Sequence, residues 1–448
     1  MTPRPHLAAL LGLALCGGCG EPAPERPHVV LVLVDQLRKD WAEEWMPETL
    51  ALAERGVIFE DMRSAAPWTY PSVVSMFSGL YPQQHGADGA PTNGKELSTF
   101  DARVPMLPLL LKDHYHTAGF VTNPFLQDWN PIHLGFDHYA IDEFIGDQGA
   151  TRGNPELVWT RDMFADDVNA SVLAHYAERG APSEPEFTYV HYIDVHGPWE
   201  GAPFEHGQAL ERDTAPAVRE AATRYVDARI AELHRFFDER YGGNLVFLVT
   251  SDHGMEMPGD LTREAPLRAA DGQPFPLRQR KATVHDFNTR IPFLVLPGRD
   301  VPNAGRIAGA CSNVDIHATV LDWAELPATA GIRGISLRDA IEGSPLPERP
   351  IYSLQSAFNR HNDCVVVGSR KLFRHGQPGT GAVGLRLVYD LAADPEESAP
   401  VGDAFGAEGR LLQEAAGAGA LSFEKNFAPP EEDDLRAIEH MGYLGDED

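Results

Sequence analysis

Basic residues and cysteines are both scarce in this chain. Across 448 residues, 37 lysines and arginines face 66 acidic groups, for a formal net charge of −29. Phosphate neutralisation by Lys and Arg supplies most of the affinity for nucleic acids, so a nucleic-acid partner is set aside. A small anionic substrate stays open, because a metal ion and a few basic groups in a cleft outweigh the global field. Of four cysteines, only Cys311 and Cys364 fall inside the expected folded body. Their pairing in an oxidising compartment stays open, but nothing in a sequence brings two Cα atoms within bridging distance, so two buried thiols are the expected state. No internal repeat is visible. The apolar run LAALLGLAL, from Leu7 to Leu15, is too short to cross a bilayer as a permanent helix.

That run does have a use at the start of a chain. Preceded by Arg4 and His6 and followed by Gly17 and Gly18, it reads as an export signal over residues 1–19. Cys19 after two glycines resembles a bacterial lipoprotein cleavage site, so lipidation at Cys19 and plain secretion both stand, with the periplasm or outer membrane surface as the expected location. The EPAPERP stretch, Glu21 to Pro27, makes residues 20–27 a stiff tether.

At 43% hydrophobic composition, the rest is long enough for one large core and a satellite. VVLVLVD (Val29 to Asp35) is a continuous β-branched run, as befits a strand buried on both faces. FVTN (Phe120 to Asn123), FTYVHYI (Phe187 to Ile193), LVFLVTSD (Leu245 to Asp252) and IPFLVLP (Ile291 to Pro297) repeat the signature. Between them, Val218, Ala222, Tyr225, Val226, Ile230, Leu233 and Phe237 recur at helical spacing. The expected fold is therefore α/β: a large, mainly parallel sheet flanked by helices, over residues 28–337. RPIYSL, CVVVGSRKLFRH and LRLVYDL then suggest a small antiparallel sheet in a C-terminal subdomain, 338–429, before an acidic tail, 430–448, with a helical pattern around Leu435 to Met441.

Open α/β sheets assemble their sites where strands hand over to loops at the carboxyl edge. Asp35 ends the first strand, and Asp252 with His253 ends the fourth. In WTYPSVVSMFSGLYPQQHG (Trp68 to Gly86), Thr69 stands at the start of a helix with Pro71 in its first turn, so its hydroxyl faces the positive helix end. A plain N-cap is the ordinary role of such a threonine.

The order and spacing of these segments resemble the sulfatase family of the alkaline phosphatase superfamily. Its signature is similar to C-x-P-S-R, a helix ending in T-G-R-x-P and then H-G. Here Thr69, Pro71, Ser72, Ser78, Gly79, Pro82 and Gly86 match. YIDVHGPW (Tyr192 to Trp199), KATVHDFNTRIP (Lys281 to Pro292), NVDIHATVLDWAELP (Asn313 to Pro327) and VYDLAADPEE (Val388 to Glu397) extend it over most of the mature chain. The resemblance implies an alkaline phosphatase-like sandwich and a hydrolase of sulfate or phosphate esters. It also implies one divalent metal (Ca, Mn, Mg or Zn) held by Asp35, Gln36, Thr69, Asp252 and His253. His196 and Lys281 would grip the substrate oxyanion and protonate the leaving oxygen, and the substrate would be a small or glycan-borne anionic ester.

The departures are specific. Thr69 and Val73 replace the Cys and Arg that direct oxidation to formylglycine, so an unmodified threonine is expected as nucleophile. Gln36 stands for a second aspartate, and His253 for a frequent asparagine. A lysine and histidine expected near Phe120 are missing, leaving Asn123 as a neutral substitute. Three further readings stay open: a phosphodiesterase, phosphonate hydrolase or phospho-transferase; a non-catalytic binder of anionic glycans or head groups; and a second metal site built from His191, Asp194, His285 and His196. The loops Phe125 to Arg161 and Met255 to Arg280 name no substrate.

Overall fold

The structure is a computed structural model that describes residues 26–87, 91–92, 96–141, 164–196, 203, 216–257, 260, 283–355, 362–376, 383–401, 409–411, 423 and 426–428. The expected export signal, Cys19, Lys281, the Leu435 to Met441 pattern and the acidic tail lie outside the described residues. No described helix is long and apolar enough to cross a membrane.

The first half runs β1 (His28–Val34), α1 (Lys39–Trp45), α2 (Pro47–Ala53), β2 (Val57–Arg63), α3 (Thr69–Ser78), α4 (Pro82–His85), β3 (Pro91–Thr92), β4 (Glu96–Thr99), α5 (Leu107–Leu111), β5 (His116–Val121) and β6 (His138–Ala140). It continues through α6 (Ala165–Arg179), β7 (Glu186–Tyr192), α7 (Pro216–Tyr241), β8 (Leu245–Thr250), α8 (Asp286–Thr289), β9 (Arg290–Leu296), β10 (Gly305–Ser312), α9 (Asp315–Trp323) and α10 (Arg338–Ile341). The last strands are β11 (Ile351–Gln355), β12 (Asn362–Val367), β13 (Arg370–Gly376), β14 (Val383–Asp390) and β15 (Asn426–Ala428).

Eight strands form one sheet in the order β10-β2-β9-β8-β1-β7-β5-β6. Strand β1 shows why the sheet sits between two helical layers. Its side chains alternate in direction: Val29, Leu31 and Leu33 enter one core, and Val30, Val32 and Val34 the other. The first core is closed by Val73, Val74, Met76 and Phe77 of α3 with Ile316 and Val320 of α9. The second is closed by Val168, Val172 and Tyr176 of α6 with Ala222, Val226, Ile230, Leu233 and Phe237 of α7. All neighbours are parallel except the pairs made by β9, which runs antiparallel to both β8 and β2. IPFLVLP thus has the buried character of its neighbours but not their direction, and the reversal delivers the residues just before it to the carboxyl edge of the sheet.

Strands β11 to β14 form the expected antiparallel sheet, and β15 pairs with β4 beside β3. A buried ion network joins the four-stranded sheet to the large one. Asp286 takes Arg63 Nη1 at 2.6 Å and Lys371 Nζ at 2.6 Å, while Lys371 also meets Glu397 Oε1 at 2.6 Å. Cys311 and Cys364 are free, buried thiols.

Candidate functional site

Strands β1, β7 and β8 are adjacent and parallel, so the residues that follow them emerge on one edge. Asp35 follows β1, Asp194 to His196 follow β7, and Asp252 with His253 follow β8. Strand β5, parallel to β7, brings Asn123 there. From the far side of β9, β2 runs in the same direction and passes through Ser64 and Trp68 into α3, whose first residue is Thr69.

Thr69 is not the cap of its helix. Trp68 holds that position, with no side-chain capping bond. The Thr69 hydroxyl lies instead 3.4 Å from Asp35 Oδ2 and 3.4 Å from His253 Nε2. Donor atoms of Asp35, Asp252 and His253 all fall within 4.8 Å of one another, and among the described residues they are the one cluster of at least three His, Cys, Asp or Glu suited to a metal. The proposed second metal site is not brought together. His191 turns to Asp35, Asp194 Oδ1 accepts the backbone N–H of Ala165, and the His285 ring packs against Phe287 and Phe373.

Hydrogen bonds around the cluster explain the side-chain choices. His253 Nδ1 sits 2.5 Å from the Gly254 carbonyl, so Nδ1 carries the proton and the Nε2 lone pair faces the cluster. Asp252 Oδ1 accepts from the backbone N–H groups of His253 at 2.8 Å and Gln36 at 3.1 Å. The Gln36 bond requires a left-handed backbone, φ 60°, at a residue that is not glycine. Gly254 follows for a steric reason: a Cβ there would stand 2.2 Å from the Phe287 carbonyl oxygen. Ser72 Oγ donates to the Asp252 carbonyl at 2.6 Å and Ser64 Oγ to the same oxygen at 2.5 Å, pinning α3 to the end of β8.

The fit to a divalent cation rests on oxygens left over. Asp35 Oδ1, Gln36 Oε1 and Asp252 Oδ2 are buried without hydrogen-bond partners. Burying an uncompensated charge is costly, and a cation is the compensation these atoms lack. Charges within the protein answer only part of it. Burial pushes the Asp35 carboxyl up, but the hydrogen bond from His191 and the fields of His196, His191 and His253 win and hold it at about 2. Asp252 is pushed above the usual carboxylate range, first by burial and then by the charge of Asp35.

His196, half-buried on the turn after β7, is near enough for its charge to act on Asp35. Lys281 lies outside the described residues. Asn123 does not take a basic residue's place facing outward; its Nδ2 donates to Asp35 Oδ2 at 2.7 Å. Sequence reasoning missed Asn288, whose Nδ2 donates to the carbonyls of Pro67 at 3.1 Å and Thr283 at 2.6 Å, and Ser64. A polar residue directly after a strand, as Ser64 is after β2, was the available signal; Asn288 offered none.

Residues 27–326 match the family model described as Sulfatase. The chain is 25% identical over 397 residues to an N-acetylgalactosamine-6-sulfatase of Canis lupus familiaris, covering 78% of this chain and 72% of that protein. Among solved structures, Ps i-CgsB in complex with k-i-k-neocarrahexaose is similar at a TM-score of 0.65 and 16% identity, over 93% of this chain and 98% of that one. The phosphonate monoester hydrolase of Agrobacterium radiobacter is similar at a TM-score of 0.59 and 20% identity, over 87% of this chain and 93% of that one.

Proposed function

The chain belongs to the sulfatase family, and from that premise we propose a metal-dependent hydrolase of sulfate or phosphate esters in which an unmodified Thr69 is the nucleophile. The observation that carries this reading is the meeting of Thr69 Oγ1 with Asp35 Oδ2 and His253 Nε2, each at 3.4 Å, beside two buried carboxylate oxygens, Asp35 Oδ1 and Asp252 Oδ2, that have no hydrogen-bond partner. Asp35, Gln36, Asp252 and His253 would hold the cation with Thr69. When bound, the cation supplies polarisation of the ester's nonbridging oxygens and eases ionisation of a nearby hydroxyl.

The chain's own residues then divide the work. Asp35, kept ionised, orients the Thr69 hydroxyl, and the first turn of α3 places that oxygen at the positive end of a helix. As the Thr69 hydroxyl passes its proton to Asp35 Oδ2, 3.4 Å away, Oγ1 attacks sulfur or phosphorus, the bond to the leaving oxygen breaks, and His196 or Lys281 donates the proton that this oxygen takes. A water must then attack the threonyl ester in line, releasing sulfate or phosphate and restoring the hydroxyl. A threonine cannot expel sulfate by collapse of a hydrated aldehyde, so a phosphorus ester is the substrate expected to turn over repeatedly. A phosphodiester or phosphonate monoester is the second reading, favoured by the same plain hydroxyl.

A panel of aryl sulfate, phosphate monoester, phosphodiester and phosphonate monoester, run with Mn, Ca, Mg or Zn, tests the reading. At least one phosphorus ester should turn over. Thr69→Ala should lower kcat by several orders of magnitude, and Thr69→Ser should keep substantial activity. Thr69→Ala equal to the parent would leave a metal-bound water as nucleophile. No turnover with retained anion binding would make the chain a binder. The protein is also proposed to be exported, with or without a lipid on Cys19. The mass of its mature N-terminal peptide from a membrane fraction decides this.

A further inference from the structure

Tyr189 and His191 stand two residues apart on β7 and so point to the same side of the sheet. Both are buried, His191 completely. Strand β7 is in register with β1, with His191 opposite Leu33 and Tyr192 opposite Val34, so a side chain at 191 reaches the carboxyl end of β1 where Asp35 begins its loop.

The contacts around Asp35 are lopsided. His191 Nε2 at 3.1 Å, Asn123 Nδ2 at 2.7 Å and the Thr69 hydroxyl at 3.4 Å all address Oδ2, while Oδ1 has no hydrogen-bond partner. An ionised carboxylate only accepts, so His191 carries its proton on Nε2. With one proton on the ring, Nδ1 is an acceptor, and the Tyr189 hydroxyl, 2.8 Å away, donates to it. Tyr189 also packs edge-on against Phe77 of α3, ring centroids 4.8 Å apart, which ties this chain of bonds to the helix that carries Thr69.

We infer that Tyr189 and His191 are positioning residues that turn Asp35 Oδ2 into the protein and present Oδ1 to a divalent cation, and that they thereby set the affinity of the site. The inference rests on the reading of Asp35 as a metal ligand. Tyr189 selects the His191 tautomer, His191 and Asn123 fix the carboxylate, and neither Tyr189 nor His191 touches the cation or the substrate.

Calorimetric titration of the purified full chain with Mn²⁺ tests it, alongside Asp252→Asn, His191→Leu, His191→Gln and Tyr189→Phe. Outer-layer partners of metal ligands typically contribute about 10–100-fold in affinity, so His191→Leu should weaken binding by about tenfold or more. His191→Gln restores an N–H donor in reach of Oδ2 and should recover part of the loss, which a merely space-filling histidine would not show. Tyr189→Phe keeps the ring packing and removes only the hydroxyl. It should weaken binding by a smaller but measurable factor, and it decides the matter if His191→Leu does not fold. If Asp252→Asn loses Mn²⁺ while His191→Leu and Tyr189→Phe bind as the parent does, the positioning role is overturned and the metal site stands. If the parent binds no cation, or Asp252→Asn binds equally well, the metal reading itself fails.

Discussion

Gln36 holds a left-handed backbone, φ 60°, that costs a non-glycine residue of order 1 kcal/mol and persists only where its surroundings impose it. What imposes it is the bond from its N–H to Asp252 Oδ1 at 3.1 Å, and what results is a buried amide oxygen without a donor. Gln36→Asp should therefore raise cation affinity by adding charge at that oxygen, while lowering the melting temperature of the cation-free protein through repulsion with Asp35 and Asp252. The gap between the melting temperatures with and without Mn²⁺ should widen. An unchanged gap would mean that Oε1 does not face the cation. Asp35, Thr69, Asp252 and His253 were legible in the sequence because each sits at a strand end or a helix start, where chain direction alone sends them to one edge. His191, Asn123 and Asn288 were not legible in their roles. Each acts through a partner on another strand or loop, and a single sequence does not encode which strands become neighbours.

Among the elements, β9 and the ion network beneath it carry the junction with the C-terminal sheet. Periodicity gives a strand's burial but not its direction, which is why IPFLVLP was read correctly as buried and its antiparallel course was not. That course places Asp286, four residues before β9, against Arg63 at the end of β2, and β13 adds Lys371 from the C-terminal sheet. The motif around Glu397 acquires a physical role here: Glu397 Oε1 meets Lys371, and Oε2 accepts the Asp286 backbone N–H at 2.5 Å. Lys371 is fully buried between two carboxylates, which push its ammonium above the usual lysine range against the opposing effect of burial. Removing one member leaves the others uncompensated, so Lys371→Met should destabilise the protein by about 3–5 kcal/mol. The double change Lys371→Met with Glu397→Gln should cost less than the sum of the single changes. Denaturant melts of the four proteins measure the coupling, and strict additivity would rule out a direct interaction.

For the whole molecule, buried and half-buried histidines set the response to acid. Burial pushes His28, His175 and His317 down to about 4, with the neighbouring rings of His138 and His116 adding to the effect at His175. His317 shows why neutrality is required: Nδ1 lies 2.8 Å from the Phe77 carbonyl and Nε2 2.7 Å from the Thr329 hydroxyl, so one nitrogen donates and the other must accept. Since these groups bind protons more readily in the unfolded chain, the stability they contribute is complete above about pH 6.5 and is lost as pH falls towards 4. At about 1.4 kcal/mol per unit of pKa, His317 alone accounts for a loss of about 3 kcal/mol across that window. Asp194 opposes the trend. Its carboxyl, raised by burial to about 7, binds its proton more readily in the folded state and adds stability as pH falls from 7 towards 4. Asp252 and Asp315, also raised by burial, act in the same direction as Asp194. Against them, His116 and His234 join the lowered histidines, and the carboxyls of Asp35, Glu186 and Asp286, held low in the folded chain, lose stability on the same side, so the melting temperature without added cation should drop between pH 7 and pH 4.5. His317→Gln should be less stable than the parent at pH 7 yet show a shallower drop, because the group whose proton uptake differs between the two states is gone. Calorimetric scans at half-unit intervals measure both slopes; equal slopes would show that protonation of His317 is not what acid acts on.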